Sequence, residues 1–202
     1  MDKQVIISIG REYGSGGHYV AHKIANDLGI SYYDRGILDE LAKEHNVSTE
    51  FLEKYDETKG NPLLSRRVKG LTNSIDEILV EMQFDLLRKK AASGESFVIV
   101  GRCAEELFRG EERLISVFVL ADMDDRIKSI AEQHQITPTE ARAKIFRHDQ
   151  GRKKYHNRYS SVKWGDSRGY DVCINCSRLG IEGTAKVLEE YIAARLNKAS
   201  GK

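Results

Sequence analysis

Apolar residues along the chain occur either in short continuous runs or at helical spacing. The continuous runs are VIISI (5–9), ISYYD (30–34), FVIVG (97–101), LISVFVL (114–120) and VCIN (172–175). Runs of this length without polar alternation are typical of strands buried on both faces of a parallel sheet. The pattern therefore predicts five strands.

Between these runs, apolar positions recur at intervals of three and four, as in amphipathic helices. The spacing predicts helices at 17–28, from Ile37, near 51–55, at 74–93 (with Ile78 inward), at 122–133, at 137–160 and at 181–196. Strands alternating with helices indicate an α/β three-layer sandwich, in which helices cover both faces of a five-stranded parallel sheet. We expect a single domain, 1–202.

The composition narrows the range of partners. Residues 1–202 include 32 basic and 31 acidic side chains, for a net charge of +1, which argues against nucleic acids and anionic membranes. No apolar run reaches the roughly 18–20 residues of a membrane span, and the first residues do not resemble a signal peptide. Three cysteines, an odd number, favour a reducing compartment. We therefore expect a cytoplasmic protein.

The glycine cluster GSGG stands between the first predicted strand and the first predicted helix. Backbone N–H groups of such a loop, together with the start of a helix, can surround a phosphate. This predicts phosphate binding by Gly14, Ser15, Gly16 and Gly17; the alternative is a tight turn without a ligand.

Arg11 and Arg102 each follow a central predicted strand. Ligands of doubly wound sheets bind beyond the carboxyl ends of the strands. We therefore expect both guanidinium groups to contact a bound anion; the alternative for each is a surface ion pair.

Several motifs, in the same order along the chain, resemble the P-loop nucleoside monophosphate kinases. They are GSGGHYVAHKIANDLG (14–29), YYDRG (32–36), VIVGRC (98–103), RHDQGRKKYHNRY (147–159) and INCSRLGIEG (174–183). Within that superfamily, GREYGSGG, YYDR, VGRC, KWGD and NCSRLG resemble the cytidylate kinase-like family over nearly the full length. The resemblance implies transfer of a phosphoryl group from ATP, with Mg²⁺, to a nucleoside monophosphate or similar small acceptor.

The resemblance also assigns roles around the loop. Gly17 aligns with the usual loop lysine, so another cation must replace it, and Arg11 and Arg102 are the candidates. His18 aligns with the magnesium-binding Ser/Thr; it either donates to a phosphate or faces solvent, and Ser15 is an alternative ligand. Asp34 is the remaining carboxylate for magnesium or the acceptor hydroxyl, unless it caps a helix. The metal ligands therefore stay open.

The basic segment at about 134–160 aligns with the kinase lid, whose arginines close over the transferring phosphoryl group. Arg147, Arg152 and Arg158 are the candidate catalytic arginines, and Asp149 is expected to orient them. The alternative is a solvated helix face.

The helical segment 35–93 corresponds to the acceptor-binding region. Its helices at 48–92 bind the substrate or form a homodimer surface. Glu40 aligns with the arginine that follows the YLDSG motif of cytidylate kinases, and Cys103 aligns with their base-reading aspartate. Neither replacement can do the same job, so cytidylate is a family label for the acceptor. Two rival functions stay open: a non-catalytic nucleotide sensor and a helical interaction scaffold.

Overall fold

The computed structural model describes residues 4–34, 37–45, 48, 50, 67–68, 71–72 and 75–200. The strands are β1 (Ile6–Arg11), β2 (Ser31–Tyr33), β3 (Arg67–Val68), β4 (Leu71–Thr72), β5 (Phe97–Val100), β6 (Leu114–Leu120) and β7 (Val172–Asn175). The α-helices are α1 (Gly17–Leu28), α2 (Ile37–His45), α3 (Ile75–Ala92), α4 (Ala104–Leu107), α5 (Met123–His134), α6 (Pro138–Tyr159) and α7 (Gly180–Ser200).

Five strands form one sheet in the order β2-β5-β1-β6-β7. The central strand β1 pairs in parallel with β5 on one side and with β6 on the other, and β6 pairs in parallel with β7. This order confirms the predicted five-stranded parallel sheet, and it places the carboxyl ends of β1 and β5 beside each other.

The core explains why the strand sequences are continuously apolar. Along β1, the first five residues are all buried, because helices cover both faces of the sheet. Val20 and Ile24 of α1 and Leu188 of α7 pack into one cluster with the central strands. Among the residues that the structure describes, no helix is long and apolar enough to cross a membrane.

Local signals set the helix ends. The hydroxyl of Thr137 accepts from the backbone N–H of Glu140, and the Glu140 carboxylate accepts from the Thr137 N–H, at 3.3 and 2.9 Å. This capping box starts α6, the helix that the spacing predicted at 137–160. Gly29 ends α1 with a φ of 63°, a left-handed conformation that glycine adopts at low cost.

The chain divides into two compact units, one formed by 1–32 and 95–202 and the other by 33–94. In the second unit α2 packs against α3, and β3 and β4 form an antiparallel pair that the sequence analysis did not predict. The Ile78 side chain of α3 is 43% exposed, so its predicted inward position was wrong. The helix predicted near 51–55 lies outside the described residues.

Candidate functional site

The glycine loop joins β1 to α1 at the carboxyl edge of the sheet. Gly14 and Gly16 both have φ of 80°, a region that L-residues with side chains rarely adopt. The hydroxyl of Ser15, which is 3% exposed, donates to the carbonyl of Glu12 at 2.9 Å and closes the loop. Since α1 starts at Gly17, the unbonded N–H groups of a helix start lie next to this loop. The loop therefore places the start of α1 at the carboxyl edge of the sheet.

Arg11 lies against the loop and against the neighbouring strand end. A Cβ built on Gly17 would lie 2.7 Å from Cβ of Arg11, so only glycine leaves room for this side chain. A Cβ on Gly101, directly after β5, would collide with Nη1 of Arg11. The guanidinium group therefore extends from the loop to the carboxyl end of β5, where the sequence analysis expected a cation.

Arg102 and Cys103 follow Gly101 in an unusual backbone conformation. Their φ angles are 63° and 52°, and Arg102 is only 5% exposed. A left-handed residue with a side chain costs of order 1–3 kcal/mol, and such residues concentrate at functional sites. The turn after β5 thus holds a buried arginine in a conformation that the local sequence does not favour.

Tyr13 connects the loop to the helices α5 and α6. Its ring packs on the apolar cluster of these helices and stacks on His148, with ring centroids 4.2 Å apart and an interplanar angle of 11°. The Arg152 guanidinium lies over the same ring, with Cζ 5.4 Å from the centroid, and Nη1 of Arg152 donates to the Arg11 carbonyl at 3.4 Å. The structure therefore brings Arg152 to the base of the glycine loop.

Arg126 of α5 is a residue of this site that the sequence analysis missed. It is 3% exposed, and its Nε donates to the carbonyl of Tyr13 at 2.8 Å. Its guanidinium pairs with Glu12 at 3.2 Å and with Asp149 of α6. Asp149 also accepts from the backbone N–H of Tyr13 at 2.8 Å. Asp149 and Arg126 therefore fix the loop from two helices.

A sequence signal for Arg126 existed in the helical spacing. Arg126 lies four residues before Ile130, which is buried on the inward face of α5, so this arginine occupies an apolar-face position. The inward face of α6 likewise continues from Ala141 and Ile145 to polar residues at intervals of three and four. Those residues are Asp149, Arg152 and His156.

The remaining predicted residues lie in several places. Nδ1 of His18 is 2.9 Å from the hydroxyl of Tyr32, and the His18 side chain is exposed. Arg147 and Arg158 are exposed on α6. Cζ of Arg158 lies 5.5 Å from the ring centroid of Tyr159. Asp34 belongs to the second unit, where its carbonyl accepts from the N–H of Ile37 at the start of α2.

The KWGD motif acquires a packing role. The rings of Trp164 and Phe118 of β6 meet edge to face, with their centroids 5.3 Å apart. Gly165 has a left-handed backbone conformation and lies against the Phe118 ring. Asp166 accepts from the backbone N–H and guanidinium of Arg168, which holds the pKa of this carboxyl at about 2. The motif therefore covers β6 and caps the turn that leads to β7.

A buried polar cluster joins β1, α4 and α6, and the sequence analysis did not predict it. Ser8 of β1 donates to Oε2 of Glu105 at 2.8 Å, and Nε2 of His156 lies 2.8 Å from Oε1 of the same carboxylate. Glu105 is 4% and His156 6% exposed. The polar Ser8 within an apolar strand was the available sequence signal.

Together the sheet order and the glycine loop at the end of the central strand define an α/β kinase fold. A shikimate kinase from Bacteroides thetaiotaomicron has the same fold, with a TM-score of 0.54 and 14% identity over 94% of this chain and 98% of the other. The chain belongs to the cytidylate kinase-like family, whose model matches residues 6–178.

Relatives with similar sequences agree with this membership. A cytidylate kinase from Methanococcus vannielii is 25% identical over 191 residues, covering 93% of this chain and 99% of the relative. The crystal structure of an uncharacterized protein from Eubacterium ventriosum is 37% identical, with a TM-score of 0.75 and coverage of 94% and 99%. The family and these relatives support nucleotide kinase activity in the broad sense.

Proposed function

We propose that the protein transfers the γ-phosphoryl group of ATP to a nucleoside monophosphate or a similar small acceptor. The observation that carries this proposal is the course of the Arg11 side chain. Its Cβ lies against Gly17 and its guanidinium against Gly101. A cation in this position can accompany the donor phosphates where related kinases use the loop lysine.

The donor phosphates would bind at the glycine loop. Gly14 and Gly16 carry no Cβ and adopt left-handed conformations, as in the backbone loops that bind anions in other proteins. The start of α1 adds partial positive charge to this loop. Gly14, Ser15, Gly16, Gly17 and His18 are therefore the proposed donor-binding segment.

Arginines would offset the charge that develops during transfer. The acceptor oxygen attacks the γ-phosphorus, the bond to the β–γ bridging oxygen breaks, and charge spreads over the equatorial oxygens. Arg11 and Arg102 follow adjacent strands and Arg152 reaches the base of the loop. We assign charge stabilisation to these three and propose Arg147 and Arg158 as lid arginines, with 134–160 as the lid.

Magnesium accompanies ATP in kinases and prefers oxygen ligands. The oxygens of the loop side chains are engaged within the protein: Glu12 accepts from Ala121 and Arg126, Tyr13 bonds with His134, and Ser15 donates to a carbonyl. These side chains do not form a ready magnesium site, so the proposed steps assign no role to the ion.

The unit 33–94 is the proposed acceptor-binding part, with Asp34 orienting the acceptor. Inside this unit Nζ of Lys90 pairs with Glu40 at 2.7 Å and donates to the hydroxyl of Tyr33 at 2.8 Å. Burial alone lowers the pKa of Lys90, but the hydrogen bonds to Glu40 and Tyr33 outweigh it and raise that pKa above its usual value. Glu40, which aligns with the arginine after the YLDSG motif of cytidylate kinases, is thus already paired.

ADP formation from ATP and Mg²⁺ across a panel of nucleoside monophosphates tests the proposal. Arg11→Met and Arg152→Ala should each lower kcat by roughly 10²–10³-fold, as loss of a charge-stabilising donor does. Lys128→Ala, at an exposed position of α5, is the matched control and should retain activity.

The panel separates the rival functions. Acceptor-dependent ADP release that Arg152→Ala abolishes would identify both the substrate and the lid. A protein that binds ATP but stays inactive with every acceptor would be a sensor or use another acceptor class. A protein that binds no nucleotide would overturn the proposal.

A further inference from the structure

Three metal-binding side chains meet in the interior of the first unit. They are Cys103, directly before α4, Glu105 in α4, and His156 near the end of α6. One ligand atom from each lies within 4.8 Å of the others, and the residues are 2%, 4% and 6% exposed. Two helices and the turn after β5 therefore contribute to one compact group.

Charge balance favours a cation in this group. A buried carboxylate is costly unless an opposite charge compensates it, and a buried thiolate has the same requirement. A divalent ion bound by one thiolate, one carboxylate and one neutral imidazole leaves no net charge.

The surroundings also fit a metal site. Ser8 donates to Oε2 of Glu105 at 2.8 Å, an outer hydrogen bond of the kind that orients metal-binding carboxylates. The imidazole of His156 turns Nε2 toward Glu105, with Nε2 2.8 Å from Oε1, so a ring nitrogen and a carboxylate oxygen face each other in this group.

We propose that Cys103, Glu105 and His156 bind a Zn²⁺ ion that fastens the end of α6 to the turn carrying Arg102. Thiolate and imidazole ligands favour Zn²⁺ over the hard ions Mg²⁺ and Ca²⁺. Three protein ligands leave the fourth tetrahedral position to water. None of the three ligands belongs to the glycine loop, and the inference does not depend on the proposed reaction.

Metal content and calorimetry on the full chain test the site. We expect one Zn²⁺ per chain, retained through gel filtration in dilute chelator. Cys103→Ser and His156→Gln should each weaken Zn²⁺ binding by at least about 100-fold, and Ser8→Ala by about 10-fold. Cobalt(II) should give a thiolate charge-transfer band in the wild type, and Cys103→Ser should remove it.

The control separates this site from the other two cysteines, which form the C-x-x-C pair Cys173 and Cys176. Cys173→Ser changes an exposed cysteine and should leave Zn²⁺ binding and the cobalt spectrum unchanged. Circular dichroism in metal-free buffer verifies that His156→Gln folds. Failure of the wild type to bind Zn²⁺, or loss of the ion in Cys173→Ser with retention in Cys103→Ser, would overturn the proposal.

Discussion

Asp149→Asn tests whether the ionic contact between the two helices holds the glycine loop. The asparagine oxygen can still accept from the Tyr13 N–H, but its amide meets the guanidinium of Arg126 with a donor. Arg126 is 3% exposed and, among the side chains that the structure describes, would keep Glu12 as its counter-charge. Breaking a buried ion pair costs about 3–5 kcal/mol. Because the Asp149 side chain is 18% exposed, we expect about 2–3 kcal/mol.

For a chain of this length, such a loss lowers Tm by roughly 4–12 °C. Differential scanning calorimetry measures the lower Tm, and urea unfolding measures the lower free energy of unfolding. We expect the affinity for ATP to fall as well, because Tyr13 is part of the loop. Glu132→Gln, an exposed acid on α5, should change stability by no more than about 0.5 kcal/mol. In a double-mutant cycle with Arg126→Met, additive effects within about 0.5 kcal/mol would refute the reasoning.

Three further predictions concern the glycine loop, the KWGD motif and the second unit. Gly17→Ala places a Cβ 2.7 Å from Cβ of Arg11 and should cost about 1–3 kcal/mol in urea unfolding, whereas Gly151→Ala, with nothing within 4 Å, should be neutral or stabilising. Arg168 lowers the pKa of Asp166 to about 2 from 3.8. This carboxylate therefore stabilises the fold above pH about 4, and its contribution is lost toward pH about 2. Asp166→Asn should remove that part of the acid dependence of the urea midpoint, and an unchanged dependence would contradict the prediction. Glu40→Gln should lower the pKa of Lys90, measured by NMR titration, and an unmoved titration would exclude the pairing within the second unit.

The fold was predictable because burial on both faces leaves a direct mark on sequence. Every residue from Phe97 to Val100 is buried, so the strand has no polar alternation and cannot be mistaken for a surface strand. The capping box of Thr137 and Glu140 depends on residues only three positions apart, so the start of α6 also leaves a mark in the local sequence. The β3–β4 pair was missed because two-residue strands are too short to show a period.

The candidate site was only partly predictable. Glycines and arginines at strand ends can be located from topology alone, which is how Arg11 and Arg102 became candidates. Arg126 and His156 were missed because a charged residue in a polar helix is usually solvated. Their burial depends on which partners α5 and α6 meet, and only the tertiary structure supplies Glu12 and Glu105.

The turn after β5 also bears on how this chain can change. Gly101, Arg102 and Cys103 are three successive residues with positive φ, and two of them carry side chains that this conformation penalises by roughly 1–2 kcal/mol each. Glycine at 102 would relieve that penalty while deleting the guanidinium. Because Arg102 is only 5% exposed, that deletion would also remove the buried contacts of the guanidinium. The backbone penalty and the buried side chain therefore belong to one residue, and glycine cannot remove the first while keeping the second.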